Sequence, residues 1–113
     1  MSQITTHVLD TTRGLPAPNL AIELFVKEKD GWNKLAAGKT NSDGRIANLL
    51  ADDIKLDAGV YRMNFNTSKY FESNNEVGFY PYVDIVFELD SNGQHYHIPL
   101  LLTAFGYSTY RGS

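Results

Sequence analysis

Val83-Asp84-Ile85-Val86-Phe87-Glu88-Leu89, then Asp90-Ser91-Asn92-Gly93, then His95-Tyr96-His97-Ile98-Pro99-Leu100-Leu101-Leu102, is the stretch whose reading decides the fold. Val83, Ile85, Phe87 and Leu89 occupy alternate positions, the period-2 pattern of a strand with one face inward. The Asp-Ser-Asn-Gly cluster carries turn chemistry. Beyond it, Tyr96, Ile98, Leu100 and Leu102 form a second core stripe, and His95, His97, Pro99 and Leu101 fall on the opposite face. The same pattern recurs upstream. Ile22, Leu24 and Val26 alternate with Glu23, Phe25 and Lys27, and Tyr61, Met63 and Phe65 with Arg62, Asn64 and Asn66. Further strands are predicted over 4–9, 32–39 and 105–111. Asn41-Ser42-Asp43-Gly44 reads as a turn in which Gly44 supplies positive φ. The period breaks only at 68–74, where Ser68 is placed to cap a short helix that lays Tyr70, Phe71 and Asn74 against the sheets. Seven or eight short strands with regularly spaced turns predict an all-β, two-sheet sandwich. Nothing is long enough for a βαβ crossover.

The chain has 113 residues, 42% apolar and 20% charged, which fits one folded domain spanning 1–113. A net charge of -3 without a basic block argues against nucleic acid as a partner. No apolar run approaches the roughly 18–20 residues of a membrane span. The absence of cysteine removes disulfides, thiolate catalysis and zinc–thiolate or iron–sulfur sites. The first residues lack a basic segment followed by an apolar one. A cytoplasmic location is expected, with a periplasmic or peroxisomal source left open.

Chemistry rests on few side chains. There are three histidines, His7, His95 and His97. On a strand His95 and His97 share a face, about 6.5–7 Å apart. Three readings stay open: surface imidazoles satisfied by neighbours, a metal held by the three rings, or general acid–base catalysis near neutral pH without metal. Arg45 directly follows the turn and could orient a substrate or balance developing negative charge. The tail, Tyr107-Ser108-Thr109-Tyr110-Arg111-Gly112-Ser113, carries two tyrosines and an arginine where frayed ends are normally small and undemanding. Such residues suit an interface core, and edge pairing between copies would hide the open edges of a small sandwich.

Four separated blocks carry a resemblance. Ile4 to Thr11 with Gly14-Leu15-Pro16-Ala17, Thr40 to Arg45, His95 to Leu102, and Gly106 to Ser113 together resemble the signatures of the transthyretin-like family. The ending Tyr110-Arg111-Gly112-Ser113 resembles that of its hydrolase branch. The resemblance implies an eight-stranded sandwich with a short helix, assembled as a homotetramer, a dimer of dimers. It implies a small-molecule substrate, 5-hydroxyisourate, whose six-membered ring is opened by hydrolysis without cofactor or metal, in urate degradation. It implies His7, Arg45 and His97 as catalytic residues, with His95 second choice, and Tyr110, Arg111, Gly112 and Ser113 as substrate-binding. A ligand carrier without catalysis is the alternative. The hydrolase branch often reads Ser-Pro-Tyr where this chain has Thr103-Ala104-Phe105, which puts the stiffness of that loop in question.

Overall fold

In a computed structural model of the protein the described residues are 2–112. Among these residues the chain forms β1 (Ile4–Asp10), β2 (Leu15–Pro16), β3 (Ala21–Glu28), β4 (Gly31–Lys39), β5 (Gly59–Phe65), α1 (Thr67–Ser73), β6 (Val83–Leu89), β7 (Tyr96–Leu102) and β8 (Tyr107–Thr109). The strands make two four-stranded sheets, ordered β2-β1-β7-β8 and β4-β3-β5-β6. The two-sheet sandwich expected from the sequence is therefore the observed architecture. The turn at Asp90–Gly93 carries the chain from one sheet to the other instead of closing a hairpin.

Alternation does what it promised. Val83, Ile85 and Leu89 of β6 and Tyr96, Ile98, Leu100 and Leu102 of β7 are buried in one core with Ile4, Val8, Leu24, Met63 and Phe65. Each such side chain contributes roughly 1.5–3 kcal/mol when fully buried. β1 and β7 pair in parallel, with Thr5 opposite His97 and His7 opposite Pro99. That register matters for the site, because it puts the outward residues of both strands side by side.

Two local expectations are corrected. The helix starts at Thr67, and its cap is Asn66, whose side chain accepts from the Lys69 amide, not Ser68. Asn is as good a cap as Ser, and two positions earlier it catches the first turn. The last strand is shorter than expected, Tyr107–Thr109, although Gly112 still bridges His97 beyond it.

The helix is tied to the first sheet by a buried polar contact. Asp10 is 1% exposed. Its carboxylate accepts from the Thr12 and Arg13 amides and, at 2.7 Å, from the Tyr70 hydroxyl. Burial, with the hydrogen bond to Asp10, raises the Tyr70 pKa, so the phenol stays a donor. Tyr70→Phe leaves one carboxylate oxygen without that donor. We expect it to cost ~1.5–3 kcal/mol, the range for hydrogen bonds to charged groups. The check is a lower urea midpoint at unchanged slope. An unmoved midpoint would mean that this contact does not hold the helix.

The Thr103-Ala104-Phe105 loop is held without proline. The Thr103 hydroxyl accepts from the Gly106 amide at 2.9 Å and the Phe105 amide at 3.3 Å. The Ala104 carbonyl accepts from the Phe79 amide at 2.7 Å. A side-chain turn thus replaces ring stiffness.

Candidate active site

Arg45 is positioned by the turn before it. The Asn41 side-chain oxygen accepts from the Asp43 and Arg45 amides, and the Gly44 carbonyl accepts from the Val8 amide at 2.8 Å. Gly44 has φ +75°, and a Cβ there would meet the Val8 carbonyl at 2.4 Å. Only glycine satisfies both the conformation and the close approach. The docked turn bridges Arg45 to His7 on the edge of β1 away from β7.

On the outward face of the same sheet, the Thr5 hydroxyl lies 2.8 Å from His97 Nδ1 and 2.9 Å from His95 Nε2. The two rings stand 6.5 Å apart and nearly parallel. Thr5, Asn41, Arg45, His95 and His97 line an open cleft of about 340 Å³, a volume within the range of small-molecule sites, about 300–1,000 Å³. His7 does not line that cleft. It sits beside it, two residues along β1 from Thr5 and next to Arg45. Burial lowers the His97 pKa, and the nearby Arg45 guanidinium, then the His95 and His7 rings, lower it further. His97 Nε2 has no hydrogen-bond partner, and Arg45 no ion pair, among the described residues.

The cluster therefore offers a half-buried neutral imidazole, a second imidazole and an unpaired guanidinium on one face. His97 is neutral to lower pH than an ordinary histidine, whose pKa is about 6.5. If its neutral form is the working one, kcat/KM should hold constant as pH falls to that value and decline only below it. An acid limb centred above the ordinary value would remove His97 as the base. As for the metal reading, no three His, Asp or Glu side chains among the described residues are grouped to hold an ion.

The tail splits. Gly112 bridges His97 and lies against its ring. Arg111 goes elsewhere: its guanidinium stacks 4.8 Å over the Tyr96 ring. There, with Tyr110, Ile85, Phe87 and Ile98, it borders a second cavity of about 240 Å³ that opens between the two sheets. Tyr110 is 58% exposed. Ser113 lies outside the described residues. Within one chain, then, His7, Arg45, His97 and Gly112 come together, and Tyr110 and Arg111 do not join them. Sequence reasoning missed Thr5, and the only local signal for it is that, two residues before His7 on a strand, it shares that residue's face.

Comparison with known proteins adds the rest. The mouse (Mus musculus) protein named 5-hydroxyisourate hydrolase is 42% identical over 114 residues, covering 99% of this chain and 96% of the mouse protein. The crystal structure of transthyretin from Sparus aurata superposes with a TM-score of 0.91 at 32% identity, covering 99% of this chain and 97% of that one. The structure of Klebsiella pneumoniae 5-hydroxyisourate hydrolase superposes with a TM-score of 0.85 at 34% identity, covering 97% and 98%. The profile of the HIUase/transthyretin family matches residues 4–112, and with it the chain belongs to that family.

Proposed function

We propose that this protein is a hydrolase that opens the six-membered ring of 5-hydroxyisourate, giving 2-oxo-4-hydroxy-4-carboxy-5-ureidoimidazoline. The observation that carries the reading is the convergence of two imidazoles and an unpaired guanidinium from separate segments onto one sheet face. In this reading His97 Nε2 takes a proton from water while His7 helps to hold that water. The water oxygen attacks the ring carbonyl, and Arg45 balances the charge of the tetrahedral oxyanion. The C–N bond then breaks as the histidine returns its proton to the departing ring nitrogen. None of these steps draws on a cofactor. Tyr110, Arg111, Gly112 and Ser113 are proposed to bind substrate. For Arg111, on the far side of its own sheet, that role calls for a neighbouring copy's site.

The fold alone does not choose between enzyme and carrier, since the family contains both kinds of name and fold does not dictate function. The likeness to sea bream transthyretin solved in complex with thyroxine, with a TM-score of 0.90, supports a carrier as the second reading. One experiment separates them. The ultraviolet decay of freshly generated 5-hydroxyisourate is followed with and without chelator-dialysed protein at fixed neutral pH. Acceleration proportional to protein concentration supports the hydrolase; decay at the spontaneous rate from folded protein supports the carrier.

The working form is proposed to be a homotetramer, a dimer of dimers. β6 and β8 end their sheets, and the second cavity, lined from both, puts these edges at the same end of the sandwich. Val86 on β6 is 56% exposed and Phe105, in the loop leading into β8, 77%. Unpaired edges carrying apolar side chains are covered in stable proteins. Light scattering after size exclusion should give four times the 12.7 kDa chain mass; a monomer at working concentration would rule the tetramer out.

A further inference from the structure

We infer that Thr5 is a positioning residue that fixes which nitrogen of His97 carries the proton, and that His95 serves this arrangement instead of acting on substrate. The inference rests on the hydrolase reading, in which an imidazole must accept a proton at the cleft.

The geometry is a chain of three polar groups: His97 Nδ1, Thr5 Oγ1 and His95 Nε2, with links of 2.8 and 2.9 Å. A hydroxyl has one proton to donate and lone pairs to accept. Between two neutral rings it can therefore donate to only one and must accept from the other. Two polarities result. In the first, His95 Nε2–H donates to Thr5, and Thr5 donates to His97 Nδ1. His97 then carries its own proton on Nε2, where it is a donor and cannot take a proton from water. In the second, His97 Nδ1–H donates to Thr5, and Thr5 donates to His95 Nε2. His97 Nε2 then presents a lone pair.

Only the second polarity lets His97 work as a base. It also survives the proton transfer. When Nε2 gains the water's proton, Nδ1–H still donates to Thr5, and no hydroxyl has to rotate. The protonated ring is stabilised by the same bond, which opposes the charge of Arg45 facing it from the turn; the other titratable groups beside it are His7 from β1 and His95 from its own strand. His95 is exposed, so its Nδ1–H can be satisfied by solvent while its Nε2 accepts from Thr5. The pair His95-x-His97 is thereby unequal, one ring reacting and the other holding the hydroxyl's proton. Parallel pairing of β1 with β7, with Thr5 opposite His97, makes this possible.

The test uses the full chain and two variants. Thr5→Val keeps shape and strand preference but removes the hydroxyl; Thr5→Ser keeps the hydroxyl. Imidazole nitrogen NMR, without substrate, should find neutral His97 protonated on Nδ1 in the native and Thr5→Ser proteins, and a mixture or the Nε2–H form in Thr5→Val. With 5-hydroxyisourate, Thr5→Val should lower kcat at least about tenfold, part of the ~10²–10⁴ that a general base contributes, with KM nearly unchanged. Thr5→Ser should recover most of it. A native His97 protonated on Nε2, or full kcat in Thr5→Val, overturns the inference. If native protein does not accelerate substrate decay at all, the hydrolase reading fails, and the NMR arm still decides whether Thr5 sets the tautomer.

Discussion

His97→Ala should lose about 10²–10⁴-fold in kcat/KM toward 5-hydroxyisourate, the usual contribution of a general acid–base group, while remaining folded. Both halves of that expectation follow from position. The ring is on the outward face of β7 and only half-buried, so removing it opens no void in the core, which is filled from the other face by Tyr96, Ile98, Leu100 and Leu102. Burial and three neighbouring cationic or titratable groups keep it neutral, and its Nε2 is unpartnered among the described residues. No other imidazole can substitute without moving. His95 is joined to Thr5 through Nε2, and His7, opposite Pro99, stands two residues further along the ladder beside Arg45. The measurement is initial decay rate against protein concentration, paired with thermal unfolding of the same sample. Native-like turnover in a folded His97→Ala protein would take the residue out of the mechanism.

What could be read in the sequence was what local chemistry writes there. β6 was legible end to end because Val83, Ile85, Phe87 and Leu89 leave no other period. The turn carrying Arg45 was legible because an Asn-x-Asp-Gly cluster has few conformations open to it. What was lost was long-range. Two-residue β2 at Leu15–Pro16 exists only because β1 lies beside it, and its own sequence reads as a loop. The partnership of Thr5 with His97 spans 92 residues and depends on a parallel pairing that no local signal announces. Arg111 is the instructive case. The family resemblance put it with Gly112 among the substrate-binding residues; within one chain, successive residues of an extended segment point to opposite faces. With Gly112 set against His97, Arg111 had to face Tyr96. The parity that would have separated them was in the sequence; the register that anchors it was not.

Gly112→Ala should lose activity on a scale out of proportion to one methyl group. A Cβ at Gly112 would sit 2.6 Å from His97 Cδ2 and 3.3 Å from both Cγ and the His97 carbonyl oxygen. The first distance is closer than carbon atoms tolerate, so the ring or the tail must move. The tail resists through the Gly112 amide, which donates to the His97 carbonyl at 2.8 Å. The ring is the softer partner, but it is pinned at Nδ1 by Thr5. Relief therefore comes by rotating the imidazole and stretching that bond, which displaces Nε2 from its place at the cleft. A 1 Å misplacement of a reacting group can cost about 10²-fold, and that is the expected drop in kcat/KM. Stability should change little, because the contact is on the outward face and the core is untouched. The control is truncation before Gly112. Removing the clash together with the tail should restore the ring's resting position, read from the nitrogen NMR signals of His97, without restoring whatever Gly112 and Ser113 contribute to binding. If Gly112→Ala turns over normally, the tail does not lie against His97 in the working enzyme, and the glycine's place there needs another reason.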